Sequence, residues 1–209
     1  MATRGTRLAK TIGMTRDPAK SLRCEVPVFY ATTEGQTRRI AERLAEALHG
    51  HGFDSRAVDV ATRQAAAVDW THVSGALVGA SLHVGGHQRA ARRFVREHAG
   101  ALNGVPSAFF SVSLSAASRN PAEVEEAARI AEWLPASQGW TPAIVASIAG
   151  RLAYLEYGFL KRLVIKKIAR KEGASTDTSR DWEYTDWAQV DSLAADLAER
   201  IRAQAAAVA

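Results

Sequence analysis

Val26-Pro27-Val28-Phe29-Tyr30-Ala31-Thr32-Thr33-Glu34-Gly35-Gln36-Thr37 is the stretch on which the fold turns. Its first half is a short apolar run that reads as a strand; its second half is a hydroxyl-rich turn with one glycine. From Thr37 to Gly50 the spacing becomes helical. Ile40, Leu44, Ala47 and Leu48 share one face, opposite Arg38, Arg39, Glu42, Arg43 and Glu46. Gly50 and Gly52 supply the stop. Pro27 donates no hydrogen bond and is tolerable because it stands at the strand's start.

Outward from this unit the same alternation repeats. Residues 55–60 read as a strand, and 73–81 as a near-continuous small-apolar strand covered on both faces. A helix is expected over 88–98, a strand over 107–114, a helix opened by Pro121 to about Leu134, and a fifth strand over 143–149. The last helix should run from Asp186 to about Ala206, burying Val190, Leu193, Ala194, Leu197 and Ile201. Five strands alternating with helices imply an α/β fold, a doubly wound five-stranded parallel sheet with helices on both faces.

The chain has 209 residues, 47% of them hydrophobic and 23% charged, which describes a chain with a sizeable core rather than a disordered or fibrous one. Cys24 alone gives no internal disulfide framework and no multi-cysteine metal site. No apolar run approaches the roughly 20 residues of a spanning helix. The net charge of +5 is unevenly placed. Residues 1–23 carry six Lys/Arg against Asp17, and residues 151–172 carry seven against Glu156 and Glu172, so the rest is mildly acidic. That division, with no stacking-aromatic motif, argues against a nucleic-acid partner. Residues 1–24, basic and without an apolar signal core, are expected to form a flexible tail, and 25–207 the folded domain; a transit peptide is the competing reading of the tail.

Open parallel sheets bind ligands at the carboxyl ends of their strands. The first loop there, Thr32, Thr33, Glu34, Gly35, Gln36 and Thr37, can turn hydroxyls and backbone N–H groups onto a phosphate at a helix N-terminus. It holds no lysine and lacks the P-loop and dinucleotide glycine spacings, which suits a mononucleotide monophosphate; a plain turn and helix cap is the other reading. The second loop, Ser81, Leu82, His83, Val84, Gly85, Gly86 and His87, allows close backbone approach to a flat ligand, or is a glycine turn with exposed histidines. A metal on His83, His87 and His98 has no accompanying carboxylate at ligand spacing. The third loop, Ser113, Leu114, Ser115 and Ala116, offers hydroxyls and nothing titratable, and no serine sits in a nucleophile elbow. Site loops poor in acid–base groups point to a cofactor that brings the reactivity.

The order of these loops resembles the flavodoxin-like fold, with sheet order 2-1-3-4-5. Thr33-Glu34-Gly35-Gln36-Thr37-Arg38, Gly79-Ala80-Ser81, Pro106-Ser107-Ala108-Phe109 with Ser111-Val112, Ala149-Gly150, Thr176-Asp177-Thr178 and Tyr184-Thr185-Asp186-Trp187 are similar to the flavodoxin-like, quinone-dependent (menaquinone-type) protoporphyrinogen dehydrogenases of haem biosynthesis. The resemblance covers about residues 26–202. It implies FMN held at its phosphate by residues 32–37 and around its ring by 81–86 and 113–116. It also implies oxidation of protoporphyrinogen IX to protoporphyrin IX, with a quinone as electron acceptor. Val84 departs from the family, where a tyrosine beside the flavin is typical. A flavodoxin-type electron carrier, a general quinone reductase, and a binding module that has lost FMN are the competing expectations.

Between the fifth strand and the last helix lie about 35 residues, against roughly 2–6 in such connections. The resemblance places a basic insert here, about 151–184. Leu160, Leu163, Val164 and Ile168 form one helical stripe and Arg162, Lys166 and Arg170 another, with Lys167 falling in the apolar one. The insert is expected to meet an anionic membrane face or porphyrinogen propionates, or else to be a solvated helix. Arg151, Lys161 and Arg162 are candidates for propionate contact, and Tyr154 and Tyr157 for the flavin's open side. The expected location is cytoplasmic, peripheral on the inner face of the cell membrane. The sequence leaves quinone type and oligomeric state open.

Overall fold

The computed structural model of the protein describes residues 25–83, 86–152 and 182–208. In chain order the elements are β1 (Val28–Ala31), α1 (Gln36–Gly50), β2 (Ala57–Asp59), the short α2 (Arg63–Ala66), β3 (Ala76–His83), β4 (Gly86–His87), α3 (Arg89–Asn103), β5 (Ser107–Ser113), α4 (Pro121–Ser137), β6 (Ile144–Ala149), β7 (Arg151–Leu152), β8 (Trp182–Glu183) and α5 (Trp187–Val208). The parallel strands lie in the order β2-β1-β3-β5-β6, which is 2-1-3-4-5 counted over the five parallel strands, as expected. Pro27 sits ahead of β1, where its carbonyl still accepts from Leu77 N at 3.1 Å.

Alternation along each strand divides the core. Val28, Tyr30, Leu77, Phe110 and Ile148 face α1 and α5, against Ile40, Leu44, Leu48, Val190, Leu197 and Ile201. Phe29, Val58, Val78 and Phe109 face the other way, against Phe94, Val95, Leu102, Leu134 and Trp140. Both faces are therefore covered, which is why the strands read as continuous apolar runs. Gly79 is required by this packing: a Cβ there would collide with the buried Phe110 ring. Gly79→Ala should cost about 2 kcal/mol through overpacking, read as a lower urea midpoint at unchanged slope.

Three boundaries differ from expectation. The strand expected over 73–81 starts later and runs to His83, because its end turns back and pairs antiparallel with β4, Leu82 opposite His87 and His83 opposite Gly86. Most of the expected second loop is thus a β-hairpin. α3 continues past His98 to Asn103 because Leu102 is buried in the same core cluster as Trp140. The ends of the expected helical insert are the strands β7 and β8, paired antiparallel; residues 153–181 lie outside the described residues.

His98 packs in an aromatic cluster, 4.5 Å from the Phe94 ring and 5.5 Å from Trp70. Burial holds its pKa below the ordinary 6.5. Unfolded chains then bind the proton first, so the stability His98 contributes is present above about pH 6.5 and is lost on acidification through the folded value. The melting temperature should fall less between about pH 7.5 and 5.5 in His98→Gln than in the parent protein.

Candidate functional site

The register of the sheet brings the carboxyl ends of four strands to one edge. Ala31 of β1 lies beside Ala80, Ser81 beside Val112, and Ser113 beside Ala149. The segments that leave these residues form the candidate site.

The first loop leaves β1 and enters α1. Thr32 Oγ1 accepts from Gly35 N at 2.9 Å and closes the turn. Gly35 adopts φ +84°, a left-handed conformation that favours glycine, and no atom lies within 4 Å of where its Cβ would be. No side chain caps α1, and its first turn holds no acid. The N–H groups of that first turn and the positive end of the helix dipole therefore open toward the loop. Within that turn Thr37 is 1% exposed, and its Oγ1 is a buried atom with no hydrogen-bond partner among the described residues. Native folds seldom leave such a group orphaned; a ligand atom accepting from it resolves the cost.

Gln36 behaves differently. Its amide Nε2 donates to Glu183 Oε1 at 2.9 Å and to Thr185 Oγ1 at 2.8 Å, and its Oε1 accepts from Arg39 at 3.1 Å. The Gln36 side chain, expected to serve a ligand in this loop, is occupied by these three protein partners. Thr185 Oγ1 in turn donates to Ala149 O at 2.8 Å, and Tyr184 N donates to Gly150 O at 3.1 Å. Arg39 also reaches Glu183 at 3.3 Å and lies 5.7 Å from the Trp187 ring centroid. Asp186 caps α5 by accepting from Ala188 N at 2.9 Å. The Tyr-Thr-Asp-Trp element thus fastens the head of α1 to the exit of β6.

On the hairpin, His87 is 5% exposed, its Nε2 is 2.8 Å from the buried Ser111 Oγ, and its ring meets Phe109 edge-on. It anchors the hairpin to β5 and is not the exposed histidine considered from the sequence. Gln88 follows, with Nε2 donating to Thr33 Oγ1 at 3.3 Å and to Ser81 Oγ. One amide therefore joins the first and second loops. In the third loop Ser113 Oγ accepts from Ala116 N at 3.2 Å, and Ser113 O accepts from Gly150 N at 2.9 Å.

The structure brings together Thr32, Thr33, Glu34, Gly35, Gln36, Thr37, Ser81, Leu82, Gly86, Ser113, Leu114, Ser115 and Ala116 at this edge, with Arg151 on β7 beyond Gly150. Val84, Gly85, Tyr154, Tyr157, Lys161 and Arg162 lie outside the described residues, and His83 is described by its backbone pairing alone. Gln88 and Thr185 were missed as organising residues. A polar residue between a Gly-Gly-His turn and a helix was the signal for Gln88; Thr185 stood in the Tyr184-Thr185-Asp186-Trp187 element that the resemblance marked, but its partners, distant in sequence, gave its role no local sign.

These features define a class: a doubly wound α/β protein with an uncapped, hydroxyl-lined turn at the head of its first helix. Residues 27–179 match the flavodoxin domain family, and the chain belongs to that family. It is 35% identical over 171 residues to the protoporphyrinogen IX dehydrogenase (quinone) of Escherichia coli strain K12, covering 82% of this chain and 93% of that one. It is 32% identical over 173 residues to the protein of the same name from Leishmania major, covering 82% and 73%. Among solved structures, rubredoxin oxygen:oxidoreductase from Desulfovibrio gigas superposes with a TM-score of 0.52 at 13% identity, over 87% of this chain and 37% of that one. A flavo di-iron protein variant from Thermotoga maritima gives 0.50 at 13%, over 86% and 36%. This chain spans little more than a third of each, and the likeness concerns the fold.

Proposed function

We propose that this protein is an FMN-dependent oxidoreductase that converts protoporphyrinogen IX to protoporphyrin IX and passes the electrons to a quinone. The observation that carries the reading is the 35% identity over 171 residues to a dehydrogenase of that name, and the orphaned Thr37 hydroxyl supports the cofactor. FMN, when bound, supplies hydride acceptance from the reduced macrocycle and electron delivery to the quinone. Thr37 Oγ1 and the N–H groups opening α1 hold its phosphate, and Gly35 lets the backbone approach. Thr33 and Ser81, joined by Gln88, fix the first loop against the hairpin. Ser81, Leu82, His83, Val84, Gly85 and Gly86 are assigned to the cofactor's ring, together with Ser113, Leu114, Ser115 and Ala116. His87 and Ser111 brace the hairpin from beneath. Arg151, Tyr154, Tyr157, Lys161 and Arg162 are assigned to substrate contact.

Among the described residues no helix is long and apolar enough to cross a membrane. The charge of residues 151–172 supports a cytoplasmic protein that meets the anionic inner face of the membrane, where the quinone resides.

Purified protein should be yellow, and with protoporphyrinogen IX plus a quinone it should generate porphyrin fluorescence well above the spontaneous rate. A yellow protein giving no excess, but exchanging electrons quickly with a flavodoxin reductase, would establish the electron-carrier reading instead. A colourless protein that takes up no added FMN would remove both.

A further inference from the structure

Beside the cofactor loops, on the α3 face of the sheet, lies a cleft of about 560 Å³ that the reading above does not use. Val60, whose N–H is bonded to Tyr30 O at the exit of β1, forms one end. The buried Phe94 and the exposed Ala61, Ala66 and Ala90 give it an apolar lining, to which Arg63, Arg89 and Arg93 also contribute. Arg89 directly follows Gln88, the residue that bonds Thr33 and Ser81, so the cleft abuts the candidate cofactor site.

The charges are unequal in kind. Arg93 is paired with Glu97 at 2.8 Å, and both line the cleft. Arg63 and Arg89 have no carboxylate partner among the described residues and leave two uncompensated guanidiniums at the rim. His98 also lines the cleft. Its Nδ1 accepts from the Trp70 indole N–H at 3.3 Å. An indole N–H can only donate, so the neutral ring carries its proton on Nε2, a further donor. The volume suits a ligand of small-molecule size, and the small lining residues leave room for a flat ring system. Guanidiniums match carboxylates bidentately and in the plane.

We propose that this cleft binds a flat tetrapyrrole through two carboxylates, holding substrate or product beside the cofactor loops. The inference rests on the proposed function for its choice of ligand. Two unpaired arginines answer the two propionates of a protoporphyrin, and the apolar lining answers its ring. A neutral quinone would leave both arginines unused.

The test uses FMN-loaded full-length protein and protoporphyrin IX, followed by porphyrin fluorescence anisotropy in dilute detergent, with protoporphyrin IX dimethyl ester as the uncharged probe. Arg63→Glu/Arg89→Glu should weaken protoporphyrin IX binding at least about tenfold, equivalent to 1.4 kcal/mol. Arg96→Glu/Arg200→Glu, an equal charge change on exposed positions outside the cleft, should bind like the parent. The ester should show no preference between parent and cleft variant. Equal binding by the two variants, or an ester as sensitive as the diacid, would overturn the site. FMN affinity, measured in parallel, should be unchanged in both variants. Cleft-dependent porphyrin binding without quinone-linked turnover would leave the site standing and remove the activity; turnover with cleft-independent binding would remove the site alone.

Discussion

Thr37→Val is expected to weaken FMN binding about 10- to 100-fold while raising the stability of the cofactor-free protein by about 1 kcal/mol. The two effects have one cause. The Thr37 hydroxyl is buried in the first turn of α1 without a partner among the described residues, so the cofactor-free fold bears the desolvation of an unused polar group. Valine matches the shape and removes that cost. A phosphate oxygen accepting from the hydroxyl is a hydrogen bond to a charged group, worth about 1.5–3 kcal/mol, and valine cannot make it. Fluorescence titration of apoprotein with FMN and urea unfolding without it give the two numbers. Thr37→Ser should keep most of the affinity. Unchanged FMN affinity in the valine variant would remove this hydroxyl from the phosphate site.

A second large effect is expected at Thr185. Its hydroxyl donates to Ala149 O and accepts from the Gln36 amide, and the residue is 9% exposed. Thr185→Val keeps the volume but strips a partner from two polar groups, a loss of about 3 kcal/mol at these burials. Because Gln36 opens α1, the damage should extend to the phosphate loop, and FMN should bind more weakly although residue 185 is remote from it in sequence. Chemical denaturation with and without excess FMN separates the two: ligand linkage stabilises the variant less than the parent. A variant as stable as the parent would show that this junction carries little of the fold.

The flavodoxin-type sheet was legible because strands covered on both faces must be apolar almost throughout, as in Ser107–Ser113, whose seven residues are all buried. The turn that opens α1, proposed to hold the phosphate, was legible because a glycine, hydroxyls and a helix start lie adjacent in sequence. What escaped notice depends on contacts that local pattern does not encode. The β3–β4 hairpin is held by backbone pairing, which leaves no side-chain signature. Gln36 reads as a polar residue in a ligand loop, yet its amide is spent on Glu183 and Thr185. His87 looked exposed beside two glycines, but the hairpin folds it onto Ser111. The arginine-rimmed cleft draws on the end of β2, on α2 and on α3, each of which taken singly looks like an ordinary solvated surface.

Gln36 and Thr185 stand 149 positions apart, and this separation bears on biogenesis. A growing chain makes the turn that opens α1 well before the clasp that steadies it. Products that stop before residue 183 should therefore take up flavin poorly, and flavin loading waits on the clasp rather than on the turn itself.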